Sequence, residues 1–166
     1  MKKALSLILV LLVAGTALMA QGIPKQVLKP AEYDKFLNDF PKIIKEIQAQ
    51  GLRGIDENSE EAVSNSASAE PYPVMLRKTV DQIRKIPGWK DVLSRHGWND
   101  RFWDYFYVSI LAMYVVAFEQ YPMDGIPPEM KNQMETSRKA INPDDLSLVR
   151  SDFERVSMAL SGPDKP

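Results

Sequence analysis

Between Asp104 and Glu119 the chain runs through YFYVSILAMYVVAF, fourteen residues without a charge. Read as a helix, the run is apolar on nearly every face. Phe106, Tyr107, Ile110, Met113, Tyr114 and Ala117 fall on one side, and Val108, Leu111, Ala112 and Val115 take most of the rest. A helix apolar all round must be enclosed, by lipid or by other helices. It falls short of the ~20 residues a membrane-spanning helix needs, and charges bound it at both ends. It is therefore expected to be the spine of a helical core, starting at an Asn99 N-cap and stopping at Pro122.

The segments around it carry the matching signal. Tyr33, Phe36, Leu37, Phe40, Ile43, Ile44 and Ile47 repeat at helical steps between Pro30 and Gly51. Pro41 inside this stretch is expected to kink the helix or split it, with Asn38 or Asp39 capping the second part. Leu76, Val80, Ile83 and Ile86 mark a helix stopped by Pro87 and Gly88. A short helix with Trp89, Val92 and Leu93 on its inner side should end at Gly97. A modest one should begin at Pro127 or Pro128 with Ile126, Met130 and Met134 inward. The last should have Asn142 as cap, Pro143 at its first position, and Asp144 and Asp145 at the positive end of its dipole. Its inner stripe is Leu146, Val149, Phe153, Val156 and Leu160.

No stretch alternates with period two. The expectation is an all-α fold: a single small bundle of about five to six helices around a central apolar helix, spanning residues 21–166. Residues 52–73, rich in Ser, Ala, Asn and Glu, read as a flexible surface loop. A calcium loop there fails, because the sixth and twelfth positions are Glu61 and Ala67, not glycine and glutamate.

The N-terminus reads as a secretory signal: Lys2 and Lys3, an apolar Leu5 to Val13, then small residues to a cut after Ala20, with Ala17 as the alternative cut. An uncleaved anchor is the competing reading, since no charge appears from Ala4 to Pro24. The expected location is the bacterial periplasm or the medium. No cysteine exists in the chain, which excludes disulfides, thiolate catalysis and lipidation of an N-terminal cysteine. Removing Lys2 and Lys3 from the 21 basic side chains leaves 19 against 22 acidic ones, a net charge of −3. Such a balance offers no general attraction to nucleic acid.

Catalytic patterns are sparse. His96 is the single histidine, but it stands before Gly97 at a helix end, where its imidazole is expected to satisfy orphan carbonyls. One histidine without cysteine does not suit zinc, and no cofactor is expected. Phosphate loops of the G-x-x-x-x-G-K type are absent. Glu32, Asp104, Glu119 and Asp124 are carboxylates with no sequence pattern to pair them across a cleft, and Arg101 is expected to pair with Asp104 or Asp100.

GWNDRFW, residues 97–103, is the one motif that a core does not fully absorb. Trp98 either staples the following helix by packing on Phe102 or Trp103, or forms the rim of an apolar groove. Candidate binding residues are Trp89, His96, Trp98, Arg101 and Trp103. The expected function is non-enzymatic: an exported protein-interaction or assembly module with an envelope protein as partner. The alternative is a carrier or chaperone-like binder of an apolar ligand in a groove near Trp89, Trp98 and Met134. A carrier predicts a cavity of several hundred cubic ångströms at this corner; an interaction module predicts a contiguous apolar surface instead.

Overall fold

A computed structural model describes residues 23–52, 70–120 and 126–160. The expected signal segment, most of the 52–73 loop, the Pro122 stop and Asp124 lie outside these residues. Seven helices are described: α1 Pro30–Ala49, α2 Tyr72–Arg84, α3 Trp89–Arg95, α4 Arg101–Glu119, α5 Pro128–Lys139, α6 Pro143–Ser151 and α7 Phe153–Leu160. There is no strand among the described residues. The all-α bundle is as expected, with more helices than the five to six anticipated.

The extra helix comes from Asp152. The terminal stripe was expected to continue as one helix, but Asp152 leaves helical geometry (φ −123°, ψ 27°) and separates α6 from α7. Its carboxylate accepts from Arg155 Nη1 at 3.2 Å, and its carbonyl accepts the Val156 N–H at 3.0 Å, starting the next helix. Asn142 caps α6 as anticipated, its Oδ1 accepting the Asp144 N–H at 2.8 Å.

Pro41, by contrast, neither splits α1 nor sets a cap; the helix runs through it for 20 residues. A proline inside a helix costs about 3 kcal/mol or more. Phe36, Leu37 and Phe40 before it and Ile43 and Ile47 after it are all buried. Each such side chain contributes roughly 1.5–3 kcal/mol on burial, so keeping one continuous inner face outweighs the loss.

α4 lies at the centre and packs against α1, α2, α5, α6 and α7. It is the one helix among the described residues long and apolar enough to cross a bilayer, yet Phe102, Trp103, Tyr105, Leu111, Ala112 and Val115 are buried against neighbouring helices. Enclosure is not complete. Phe106, Ile110, Met113 and Ala117, one face at helical spacing, are only half-buried. Met130 on α5, expected inward, is 40% exposed, whereas Met134 is buried.

An N-terminal strap, residues 23–29, crosses from the start of α6 to the start of α1. Leu28 within it is fully buried. Its backbone is held by Asp145: the Val27 and Leu28 N–H groups donate to the two carboxylate oxygens at 2.9 and 2.8 Å. Asn142 Nδ2 donates to the Pro24 carbonyl at 2.7 Å, and the Lys29 N–H to the Tyr105 hydroxyl at 3.2 Å.

Gly88 sets the angle between α2 and α3. It has φ +94°, and a Cβ placed there would lie 2.6 Å from Leu52 Cδ1. Gly88→Ala is expected to lower the unfolding free energy by about 1–2 kcal/mol, from the left-handed backbone and the displaced Leu52. A urea-denaturation midpoint within error of the parent protein would contradict that strain.

Candidate functional site

α3 ends in a turn that decides where His96 and Trp98 go. The Gly97 N–H bonds the Ser94 carbonyl at 3.0 Å and the Trp98 N–H bonds the Leu93 carbonyl at 2.9 Å, with Gly97 at φ +69°. This Schellman closure satisfies the last carbonyls through the backbone itself. His96 is therefore not needed as a side-chain cap, and the expectation that it fills that role is corrected. Its Nε2 lies 2.8 Å from Glu46 Oε2 on α1. Arg95 holds the other oxygen of Glu46 through Nε at 2.8 Å and Nη2 at 2.5 Å.

Trp98 turns inward. It is 5% exposed and packs edge-on against Phe102 with ring centroids 5.8 Å apart, and against Phe36 at 6.0 Å. This is the staple geometry, made to Phe102. Asn99 Oδ1 accepts the Arg101 N–H at 2.9 Å just after it, as an N-cap does. The indole Nε1 donates to Asp39 Oδ2 at 3.2 Å, while Lys35 Nζ sits 4.3 Å above the ring and reaches the same carboxylate oxygen at 2.6 Å. Asp39, expected as a cap within α1, instead joins α1 to the α3–α4 corner.

These contacts set two acidities. Burial raises the Asp39 carboxyl, but hydrogen bonds from Lys35 and Trp98 and the Lys35 charge outweigh it and hold the group below its ordinary value. Hydrogen bonds from Arg95 and then His96 do the same for Glu46. A carboxylate whose folded pKa is depressed stabilises the fold above its ordinary pKa, near 4, and that contribution disappears as pH falls through the folded value. The urea midpoint is therefore expected to drop below about pH 4, and Asp39→Asn to flatten that acid limb. An unchanged limb in the variant would remove Asp39 from the account.

Two cavities flank this corner. The first, about 670 Å³ and open to solvent, is lined by Trp98, Arg101 and Trp103 from the GWNDRFW motif, Lys90 and Leu93 from α3, and Arg84 from α2. The second, about 530 Å³, is an apolar groove where α1, α2 and α3 meet over α4, lined by Ile44, Ile47, Leu52, Ile83, Trp89 and Phe106. Trp89 and Trp103, with ring centroids 5.1 Å apart, stand between them. The Trp89 Nε1 is buried without a hydrogen-bond partner.

The chain matches no protein-family model, no curated protein and no solved structure.

Of the five candidate residues, Trp98, Arg101 and Trp103 share one cavity, Trp89 faces the other, and His96 lines neither. Met134 also lines neither; it lies on α5, which packs on α2 and α4 rather than on α3. Arg101 does not pair with Asp100 or Asp104. Its Nη2 reaches Glu32 Oε2 at 2.6 Å, which the Tyr105 hydroxyl also donates to at 2.9 Å. Asp100 pairs with Arg84 at 2.7 Å and Asp104 with Arg77 at 3.6 Å. Ile44, Ile83 and Phe106 were legible only as core residues; they belong to three different helices, and no local pattern shows that they leave a groove between them. No group of three or more acidic or histidine side chains among the described residues is placed to hold a metal ion.

Proposed function

We propose that this protein is an exported, non-enzymatic interaction module that receives an apolar segment of a partner protein of the cell envelope. The two cavities at the tryptophan corner have the volume expected of a carrier; what favours a protein segment as occupant is the lining of the groove over Phe106. Its walls are Ile44 and Ile47 on one side and Ile83 on the other, and Gln48 is the one polar side chain lining it. A small-molecule site usually combines apolar walls with a few converging polar groups that fix orientation. This groove offers none besides Gln48, and the buried Trp89 Nε1 is not accessible to an occupant. Beyond Phe106 the half-buried Ile110, Met113 and Ala117 extend the apolar surface along three turns of α4. Helical partners read such grooves through apolar anchors spaced three and four residues apart.

The test is site-specific photo-crosslinking in the producing cells. A benzoylphenylalanine at Ile44 or Ile83 is expected to give the same single adduct with one envelope protein, and one at the 70%-exposed Met158 none. Adducts from neither groove position, or equally from Met158, would overturn the reading. Export is tested separately by intact mass and by protease accessibility in spheroplasts: a mature chain beginning at Gln21 or Leu18 supports it, and a chain that keeps Met1 and is shielded from external protease removes it.

A further inference from the structure

We propose that the cavity at the Trp98–Trp103 corner is a second site, independent of the groove, which binds a small soluble organic anion with an apolar, ring-bearing body. Its floor is Leu93, Trp98 and Trp103, all at least 95% buried. Its walls include Arg84, Lys90 and Arg101, with Asp100 the single acid lining it. Long basic side chains present their aliphatic stems to an apolar surface and their charges to water. The cavity is thus apolar at the bottom and cationic at the mouth. A molecule that fits must carry its negative group at one end.

The charges are not equally committed. Arg84 is paired with Asp100 and Arg101 with Glu32. Lys90 has no carboxylate partner among the described residues, although it stands at the cavity. It is the cation free to take an incoming acid, with the two arginines reinforcing the positive field. At about 670 Å³ the space falls within the roughly 300–1,000 Å³ typical of small-ligand pockets, and the partition by Trp89 and Trp103 keeps it apart from the groove.

The mature full-length protein can be titrated with 1-anilinonaphthalene-8-sulfonate and with N-phenyl-1-naphthylamine, which has the same aromatic body and no charge. The sulfonate is expected to bind saturably, one per chain, with energy transfer from tryptophan, and more tightly than the neutral dye. Lys90→Glu should weaken it about fivefold or more, and Lys90→Gln by less, with added salt reducing the difference. Ser94→Trp, at an exposed position on the cavity wall, should abolish binding by filling the space. Sulfonate binding that survives Ser94→Trp would place the dye elsewhere and overturn the assignment. Equal affinity for the two dyes with no effect of Lys90→Glu would overturn the anion preference, and absence of binding would overturn both.

Discussion

Leu111→Asp is expected to abolish cooperative folding. Leu111 is fully buried at the middle of α4, with α1, α2, α5, α6 and α7 packed around that helix. The substitution removes a side chain worth roughly 2–3 kcal/mol on burial and places a carboxylate inside the apolar core cluster. Keeping that carboxylate ionised, or protonating it at neutral pH, costs several kcal/mol more. Together these losses approach the whole stability of an ordinary domain, about 5–15 kcal/mol. Near-ultraviolet circular dichroism should lose its aromatic signature and the urea transition should broaden or vanish. Ile110→Asp is the informative contrast. Ile110 is half-buried on the face toward solvent, so its carboxylate can reach water and the variant should retain a cooperative transition. A Leu111→Asp protein that unfolds cooperatively near the parent midpoint would refute α4 as the spine.

That contrast also marks how far the amino-acid pattern reaches. The uncharged run identified α4 as the core helix, because burying so much apolar surface admits few alternatives. It did not reveal which face stays half-covered: Ile110 and Leu111 are equally apolar, and only the placement of the neighbouring helices separates them. The stripe of α1 was legible almost residue by residue, with Tyr33, Phe36, Leu37, Phe40, Ile43 and Ile47 all buried. Of the two outcomes expected at Pro41, a kink or a split, the split does not occur, because the buried face continues on either side of it. Around the candidate cavity, Trp98, Arg101 and Trp103 were visible together since they are neighbours in the chain. Arg84 arrives from another helix, as Glu32 and Glu46 do for Arg101 and His96, and spacing rules carry no information about contacts made across some 50 to 70 residues.

Asp145→Ala is expected to release the N-terminal strap and lower the unfolding free energy by about 3 kcal/mol. Sequence reasoning placed Asp145 at the positive end of α6 and stopped there. In the folded chain it is 1% exposed and bridges the Val27 and Leu28 N–H groups, 118 and 117 residues away. Alanine leaves both donors without a partner, a loss of roughly 1–3 kcal/mol each, offset in part because a buried carboxylate no longer has to be desolvated. If the strap detaches to rehydrate its amides, Leu28 leaves its fully buried site and forfeits its own burial energy. Faster trypsin cleavage after Lys25, and lost hydrogen-exchange protection at Val27 and Leu28, would report that detachment directly. The pH dependence has the opposite sign to that of Asp39. Burial raises the Asp145 carboxyl above its ordinary value, with the two N–H groups pulling it back and Asp144 adding to the rise. A raised folded pKa contributes stability that is complete below the unfolded value and is lost as pH rises through the folded one. Asp145→Ala should remove that component, so the difference between variant and parent protein is expected to widen toward acid within the carboxylate range. Asp145→Asn keeps one acceptor oxygen for one of the two N–H groups but turns an amide donor toward the other. It should fall between alanine and the parent in stability and show no titration of its own. A strap as protected in Asp145→Ala as in the parent chain would mean that Asn142, Tyr105 and the burial of Leu28 suffice to hold it.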